Sequence, residues 1–198
     1  MKRKYLIVVD MQHDFVDGSL GSDDAKAIVP AVAEKVKNFN GFIYFTKDTH
    51  FTNESDYGPS YEKSLEGKLL PVKHCMLDDA DVPTHGHHIV KEVFDALSEN
   101  PHLAGYKIVL KTTFGSMFLP VDINTDFAMR CEPINIESIE ICGLCTDICV
   151  ISNALILRAM YPNVPIIVDA KCCAGASREG HEAALKVMKS CQIDVVNV

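Results

Sequence analysis

The chain has 198 residues, of which 47% are hydrophobic and 23% are charged, so it is long enough for one globular domain with a sizeable core and short for two. Nineteen basic and 27 acidic side chains leave a net charge of −8, which repels nucleic-acid phosphates and anionic lipids. We therefore expect no nucleic-acid partner and no membrane partner. The eight cysteines are too sparse for a small disulfide scaffold and need another explanation.

The first apolar run, Tyr5 to Val9, has five residues and ends at Asp10. A secretory signal needs a longer apolar region and a small-residue cleavage site, so this run is predicted to be a strand. No apolar stretch approaches the roughly 20 residues that span a bilayer. We expect a cytoplasmic protein whose cysteines are reduced thiols.

Short apolar runs rich in β-branched residues recur along the chain, and each is continuous rather than alternating, as is typical of parallel strands buried on both faces. They are Tyr5 to Val9, Phe42 to Phe45, Lys107 to Leu110, Ile136 to Cys142, Val164 to Val168 and Ile193 to Val196. Segments with helical spacing lie between several of them, at Ala27 to Phe39, Ile89 to Leu97, Asp147 to Met160 and Arg178 to Ser190. This alternation predicts an α/β fold with a doubly wound, mostly parallel six-stranded sheet and helices on both faces.

Two stretches interrupt the alternation. Residues from about 46 to 83 are polar and contain several glycines and prolines, which predicts a long functional loop. Gly115 to Pro133 has a helical signal only around Asp122 to Met129. No repeat or linker divides the chain, so a single domain is expected over residues 1–198. In the last helix we expect Ser177 as the N-cap and a buried stripe of Ala183, Ala184, Val187 and Met188.

Ligands of open α/β sheets bind beyond the carboxyl ends of the strands. The polar or reactive residues at those predicted ends are Asp10, Lys47, Asp48, Lys111, Thr112, the segment Gly143 to Cys149, and Asp169. A carboxylate, a lysine and a cysteine thus reach one edge from three distant segments. This coincidence predicts a thiol-based site.

Cys149 is predicted to lie in the first turn of the helix that follows an apolar strand and the tight turn at Gly143. Unpaired backbone N–H groups there stabilise a thiolate and could receive an oxyanion. A buried cysteine that acts only as a small hydrophobe fits the same position equally well. For the other seven cysteines we prefer that simpler interpretation.

Cys142 and Cys145 form a C-x-x-C pair, which is compatible with a redox site, but Cys142 falls inside the apolar strand. Asp48 and His50 would point the same way in an extended chain, and with His74 they could bind Zn, Mn or Fe. A polar loop with scattered histidines is the competing interpretation. The cluster His85, His87 and His88 has no acidic partner nearby in the sequence and is interpreted as solvated surface.

Six segments, in order along nearly the whole chain, carry recognisable motifs. They are Asp10-Met-Gln-His-Asp-Phe15 with Gly18-Ser-Leu20, Thr46-Lys-Asp-Thr-His50, Pro71-Val-Lys-His74-Cys75, Lys111-Thr-Thr-Phe-Gly115, Gly143-Leu-Cys-Thr-Asp-Ile-Cys149 and Asp169-Ala-Lys-Cys-Cys-Ala-Gly175. Together they resemble the isochorismatase-like cysteine hydrolases, and within that family the nicotinamidase-related branch.

The resemblance implies a catalytic triad of Asp10, Lys111 and Cys149 and the hydrolysis of a small carboxamide, nicotinamide or a related amide, to the acid and ammonia through a thioester. It also implies a cis peptide between Leu144 and Cys145 that aims the Cys145 N–H into the site. The backbone amides of Cys145 and Cys149 would form the oxyanion hole. The implied substrate-binding residues are Phe15 and Leu144.

The family's divalent metal, with Zn expected and Mn or Fe as alternatives, maps onto Asp48, His50 and His74. A further histidine of some members has no counterpart here. The carboxylates that the loop offers instead are Glu54, Asp56, Glu62 and Glu66. We expect Glu66, which lies shortly before Pro71. The chain has no tryptophan, although some nicotinamidases stack their substrate on one.

Two other functions compete with the metal-assisted amidase. One is a metal-free hydrolase of another bond, such as the vinyl ether of isochorismate. The other is a protein of a different class, either a catalytically silent binding or scaffolding protein that keeps the fold or a thiol redox protein that uses Cys142 and Cys145. The resemblance further implies a homo-oligomer.

Overall fold

The computed structural model describes residues 2–54, 58–78, 80 and 82–198. In chain order its strands and α-helices are β1 (Arg3–Val9), α1 (His13–Val16), α2 (Asp23–Asn38), β2 (Gly41–Asp48), β3 (His50–Phe51), α3 (Leu65–Leu69), β4 (Met76–Leu77), α4 (Lys91–Asp95), β5 (Leu103–Lys111), α5 (Phe118–Met129), β6 (Ile136–Leu144), α6 (Ile151–Met160), β7 (Ile166–Ala174), α7 (Arg178–Ser190) and β8 (Asp194–Val196). Short 3₁₀ turns occur at Tyr61–Lys63 and His85–His87, and a π-helical turn at Thr146–Val150 precedes α6.

Six strands form one parallel sheet in the order β5-β2-β1-β6-β7-β8, which confirms the predicted doubly wound architecture. From β1 the chain winds outward to β2 and β5, and from β6 it winds the other way to β7 and β8. Central strand β1 is buried from Tyr5 to Val9, which explains its uninterrupted apolar run. The winding direction changes between β1 and β6, where such sheets bind ligands.

All six predicted strands are present, but several are longer than their apolar runs. β7 continues to Ala174, so Asp169 lies inside the strand and pairs with Val196 of β8. The prediction that Asp169 stands at a strand end was therefore wrong. Its carboxylate instead lies 2.9 Å from Lys35 Nζ on α2.

The helices follow the predicted periodicity with local corrections. α7 has the predicted bounds, and the Ser177 hydroxyl caps it by accepting from the Gly180 N–H at 3.0 Å. The predicted stripe was only half right, because Ala183 and Val187 face solvent and the buried residues are Ala184, Leu185 and Met188. α5 begins at Phe118, ahead of the helical signal at Asp122.

Gly143 allows β6 to end against the central strand. Its φ is +116°, and a Cβ there would lie 2.1 Å from the Val9 carbonyl oxygen. The ends of β1 and β6 can therefore approach closely only because this position has no side chain. Among the described residues, no helix is long and apolar enough to cross a bilayer.

Candidate active site and metal group

The structure brings the three predicted catalytic residues together beyond the carboxyl ends of the strands. Asp10 directly follows β1, Lys111 ends β5, and Cys149 lies in the π-helical turn after β6. Lys111 Nζ lies 2.7 Å from Asp10 Oδ2 and 3.5 Å from Cys149 Sγ. All three are buried.

Asp10 is held on both sides. The Thr46 hydroxyl donates to Asp10 Oδ1 at 2.7 Å, and the Asp10 N–H donates to the Thr46 carbonyl oxygen at 3.2 Å. Its φ of +47° is in the left-handed region, which aspartate tolerates better than most residues. Burial raises the pKa of Asp10, with Lys111 opposing the shift. This carboxylate is thus a stronger base than an exposed aspartate.

Lys111 lies between two carboxylates. Besides Asp10, its Nζ donates to Asp48 Oδ1 at 3.0 Å, which follows from the pairing of Asp48 with Lys111 across β2 and β5. Burial alone would lower the pKa of Lys111, but the two carboxylates raise it well above its ordinary value. The side chain therefore remains a cation in the site.

Cys149 is only 5% exposed. Burial raises the pKa of its thiol well above the ordinary value, although Lys111 pulls in the other direction. The resting sulfur is therefore a thiol, and an attack on a substrate needs a neighbouring base. The peptide bond between Leu144 and Cys145, just before the π-helical turn, is cis, at the position that the family motif implies.

Four side chains form a second group beside this site, which we call the metal group because all four are of residue types that can bind a metal ion. Asp48, His50, Glu66 and His74 each offer a ligating atom, and these atoms all lie within 4.8 Å of one another. His50 Nε2 lies 2.8 Å from Asp48 Oδ2, and His74 Nε2 lies 3.4 Å from Glu66 Oε1. A tetrahedral ion with bonds of about 2.1 Å keeps its ligands about 3.4 Å apart, so the spacing and the imidazole–carboxylate donors fit Zn, Mn or Fe.

The geometry also separates Glu66 from the other carboxylates of the loop. Glu54 pairs with Lys63 at 3.0 Å, and Glu62 pairs with Lys73 at 2.8 Å. Asp56 lies outside the described residues. Glu66, at the start of α3, is the loop carboxylate that the described structure places against both histidines.

Buried side chains around the metal group were missed by the sequence reasoning. The Gln12 side chain donates to the carbonyl oxygens of Asp48 and His87 and accepts from the Asp48 N–H at 2.7 Å. The Tyr61 hydroxyl donates to the Leu70 carbonyl oxygen at 2.5 Å, and its ring packs against His50 and His74. Gln12 belongs to the D-x-Q motif and could have been identified from it. Tyr61 belongs to none of the motifs, and its partners come together only on folding.

Asp14 is another missed residue. Its carboxylate accepts from the Cys75 N–H at 2.7 Å and from the Ser19 N–H and hydroxyl. Cys75 follows the ligand-type His74 and has a left-handed φ of +49°. Asp14 therefore fixes the turn that presents His74. The second aspartate of the D-x-Q-x-D motif was its signal in the sequence.

The interpretation of the histidine cluster as solvated surface was wrong at His87. This ring is buried, its Nε2 lies 3.0 Å from Thr49 Oγ1, and burial lowers its pKa to about 4. The cluster also has an acidic neighbour, since Gly86 packs directly against the Asp14 carboxylate. His85 stacks on His13 with ring centroids 4.2 Å apart.

All eight cysteines lie in the described part of the chain, and each is a free thiol. Cys142 is fully buried in β6, where its neighbours include Cys172, Cys173 and Lys35. Cys145 instead has Asp10, Lys111 and Asp48 nearby. The two thiols of the C-x-x-C pair therefore face different surroundings, which disfavours a dithiol site.

A pocket of about 430 Å³ opens onto Cys149. The expected substrate-binding residues Phe15 and Leu144 both line it, together with Cys145. Asp48, Glu66 and His74 form another part of the wall, so the thiol and the metal group face the same space. The Phe15 ring lies 5.4 Å from the His74 ring, measured between centroids.

A doubly wound parallel sheet with an aspartate, a lysine and a cysteine in contact at its switch point defines an α/β protein with a thiol-based site. The family model described as the isochorismatase domain matches residues 4–198. The chain therefore belongs to the isochorismatase family, which confirms the resemblance seen in the motifs.

Individual relatives are distant in sequence but similar in structure. An "uncharacterized isochorismatase family protein PncA" from Bacillus subtilis (strain 168) is 26% identical over 189 residues, covering 92% of each chain. The nicotinamidase/pyrazinamidase PncA from Bacillus subtilis has a TM-score of 0.71 at 22% identity, covering 100% of both chains. The pyrazinamidase of Pyrococcus horikoshii, solved in complex with zinc, has a TM-score of 0.68 at 25% identity and 99% coverage of both.

Proposed function

We propose that this protein is a cysteine amidase that hydrolyses a small uncharged carboxamide, nicotinamide or a related amide, to the acid and ammonia. The observation that carries this proposal is the contact of Lys111 Nζ with both Asp10 and Cys149 beneath the pocket. The similar nicotinamidase and pyrazinamidase structures support the same class of reaction.

In the first half of the reaction, Asp10 takes the thiol proton of Cys149 and the sulfur attacks the amide carbonyl carbon. Lys111 holds the carboxylate in place and stabilises the negative charge that develops on the sulfur. The backbone N–H groups of Cys145 and Cys149 receive the oxyanion. In comparable sites one such donor contributes about 3 to 4 kcal/mol.

The tetrahedral intermediate then collapses as the carbon–nitrogen bond breaks and Asp10 returns its proton to the departing ammonia. Asp10 next deprotonates a water molecule, which attacks the thioester. Cleavage of the carbon–sulfur bond releases the acid and leaves a thiolate that recovers the proton from Asp10. Protons and electron pairs balance over the cycle with no further reactant.

We propose Asp48, His50, His74 and Glu66 as the ligands of a divalent ion, with zinc favoured and manganese or iron as alternatives. When bound, the ion supplies a Lewis acid at the pocket wall that can hold a lone pair of the substrate. Lys111 touches Asp48 and so positions one ligand while it also serves the nucleophile.

The lining of the pocket favours an amide over isochorismate. Isochorismate carries two carboxylates, whereas the metal group contributes the acidic side chains Asp48 and Glu66 to the wall. Among the described residues that line the pocket, none is a lysine or an arginine. A metal-free hydrolase of isochorismate type would therefore lack a partner for its substrate's charge.

The test is ammonia release from a panel of primary amides that includes nicotinamide. We expect Cys149→Ala to lower kcat/KM by at least about 1,000-fold, because it removes the nucleophile. Cys131→Ala is the matched control, since Cys131 is a free and exposed thiol. Equal activity of Cys149→Ala and wild type would overturn the assignment, and loss of activity in Cys142→Ser would favour the redox alternative.

Metal removal separates the two hydrolase alternatives. Dialysis against a chelator should abolish amide turnover, and addition of Zn, Mn or Fe should restore it. Full activity after verified removal of the metal would contradict a metal-assisted amidase.

We further propose that the chain forms a homo-oligomer in a reducing compartment, the cytoplasm. The eight free thiols support the compartment. The oligomer is supported by an uncovered strip on edge strand β5, where Tyr106, Ile108 and Leu110 are all exposed. Parallel sheets normally bury both faces, and copies that each carry −8 can meet most easily through an uncharged surface.

A further inference from the structure

The pocket has few polar groups left for a substrate once the metal group and the nucleophile are set aside. Asp48, Glu66 and His74 belong to the metal group, and the Ser22 hydroxyl caps α2 by accepting from the Ala25 N–H at 3.1 Å. The remaining wall is formed by apolar side chains, Cys145 and Gly175. Away from the carboxamide, the site therefore offers mainly apolar contacts.

The apolar wall continues from the buried end of the pocket to solvent. Leu144 at the buried end is 1% exposed, whereas Leu69, Leu70 and Phe114 line the same pocket and are 77%, 38% and 47% exposed. Single exposed apolar side chains are common, but these three line one cavity and give its solvent-facing part an apolar lining.

The volume exceeds what one small ring fills. Pockets of roughly 300–1,000 Å³ bury drug-sized ligands, and this one measures about 430 Å³. A pyridine ring with its carboxamide at Cys149 is too small to fill this volume and would leave part of the entrance to water. The uncovered side chains there have no partner in such a complex.

We propose that the preferred substrate is a primary carboxamide whose acyl group carries an uncharged apolar extension, alkyl or aryl, that lies against Leu69, Leu70 and Phe114. The inference rests on the proposed function and leaves its chemistry unchanged, because the extension is remote from the scissile bond. Since Leu69 and Glu66 lie on the same short helix α3, the extension also packs against the element that carries a metal-group carboxylate.

The experiment measures kcat/KM for ammonia release from propanamide, butanamide, hexanamide, octanamide and nicotinamide with the metal-loaded enzyme. Burial of each added methylene should raise kcat/KM by about fourfold until the chain leaves the entrance. A flat profile across the linear amides would overturn the inference.

Two leucines of α3 provide a matched pair of variants. Leu69 lines the pocket, whereas Leu65 is 74% exposed and does not line it. Leu69→Asn should reduce the ratio of kcat/KM for octanamide to that for propanamide by about tenfold, because at least one or two methylenes lose their apolar contact. Leu65→Asn should leave the ratio unchanged. Equal ratios in the two variants would contradict the placement of the extension.

The outcomes separate this inference from the proposed function. Turnover of nicotinamide that depends on Cys149, combined with a flat chain-length profile, would overturn the extension and retain the amidase. Absence of Cys149-dependent ammonia release from every amide, nicotinamide included, would overturn the amidase itself.

Discussion

At the scale of single residues, Tyr61 links the metal group to the backbone around it. Its hydroxyl donates to the Leu70 carbonyl oxygen and lies 3.1 Å from the Val72 carbonyl oxygen, and its ring packs edge-on against His50 and His74. The Val72 carbonyl oxygen in turn accepts from His74 Nδ1 at 2.8 Å. One phenol thus orients both histidine rings and the carbonyl that holds one of them.

Tyr61→Phe should weaken metal binding by about 10- to 100-fold while the protein remains folded, because residues that orient metal ligands have effects of that size. Competition with a chromophoric chelator measures this directly and is independent of activity. Tyr106→Phe is the control, since Tyr106 lies on β5 and is half exposed. Unchanged affinity in Tyr61→Phe would show that the ring packing alone is sufficient.

At the residue scale, proximity could be predicted for candidate side chains that belong to a motif, and it could not be predicted for their other neighbours. Asp10, Lys111 and Cys149 stand at strand ends, so topology alone places them near one another. The Tyr61 hydroxyl donates to a backbone carbonyl oxygen, and the His87 ring forms a hydrogen bond with Thr49. Folding brings these partners together. No spacing in the sequence encodes such contacts.

At the scale of elements, α2 is fixed to the sheet by a partly buried cation. Lys35 Nζ lies 2.9 Å from both Glu140 on β6 and Asp169 on β7. Asn197, next to β8, donates to the other oxygen of Asp169 at 3.0 Å. Asp169, which was predicted to lie at a strand end, therefore connects β7 to α2 and to Asn197, and Lys35 extends this cluster to β6.

Asp169→Asn should lower the free energy of unfolding by about 1 to 3 kcal/mol at neutral pH, because it weakens a charge-assisted hydrogen bond within a largely buried cluster. Urea denaturation measures the change. Glu99→Gln is the control, since Glu99 pairs with Lys37 of the same helix but both side chains are well exposed. We expect that control to change stability by less than about 0.5 kcal/mol.

The effect of Asp169→Asn on the free energy of unfolding should also depend on pH. Burial alone would raise the pKa of Asp169, but Lys35 and Asn197 hold it below the ordinary value of 3.8. A carboxylate with a lowered pKa in the folded state stabilises the protein above its unfolded pKa and loses that effect as the pH falls through the folded pKa. The stability gap between wild type and Asp169→Asn should therefore close below about pH 4. A gap that widens on acidification would contradict this assignment.

Element prediction depended on how completely each segment is buried. The inner strand β1 is buried along its apolar run, whereas the edge strands β5 and β8 are partly exposed, and all six predicted strands were found. The bounds were less accurate, because polar residues such as Asp48 and Asp169 continue the hydrogen-bonded ladder beyond the apolar run. In α7, Val187 fits the helical period but faces solvent, because the position of the helix against the sheet decides which face is buried.

At the scale of the whole molecule, the proposed assembly depends on the exposed strip of edge strand β5 that Tyr106, Ile108 and Leu110 form. Ile108 on that edge strand is exposed, whereas Lys107 pairs with Asp122 of α5 at 2.8 Å. We expect the wild type to sediment as a homo-oligomer and Ile108→Lys to sediment as a monomer, because a lysine would bring like charges together in a symmetric contact.

Val187→Lys is the matched control for assembly. Val187 is about as exposed as the strip residues but lies on α7, which packs near β8 at the far end of the sheet. It should leave the sedimentation coefficient unchanged. A wild type that sediments as a monomer at concentrations where it is active would contradict the proposed oligomer.

The two oxygens of Asp48 point to different neighbours, Oδ1 to Lys111 and Oδ2 to His50. The Asp48 carboxylate therefore contacts Lys111, which also contacts Cys149, and at the same time belongs to the metal group. In evolutionary terms the two halves of the site are coupled. A descendant that lost Asp48 would leave the Lys111 ammonium with Asp10 in place of two carboxylate neighbours. Substitution at this one position would therefore change the charge around the proposed nucleophile and the donor set of the proposed metal site together.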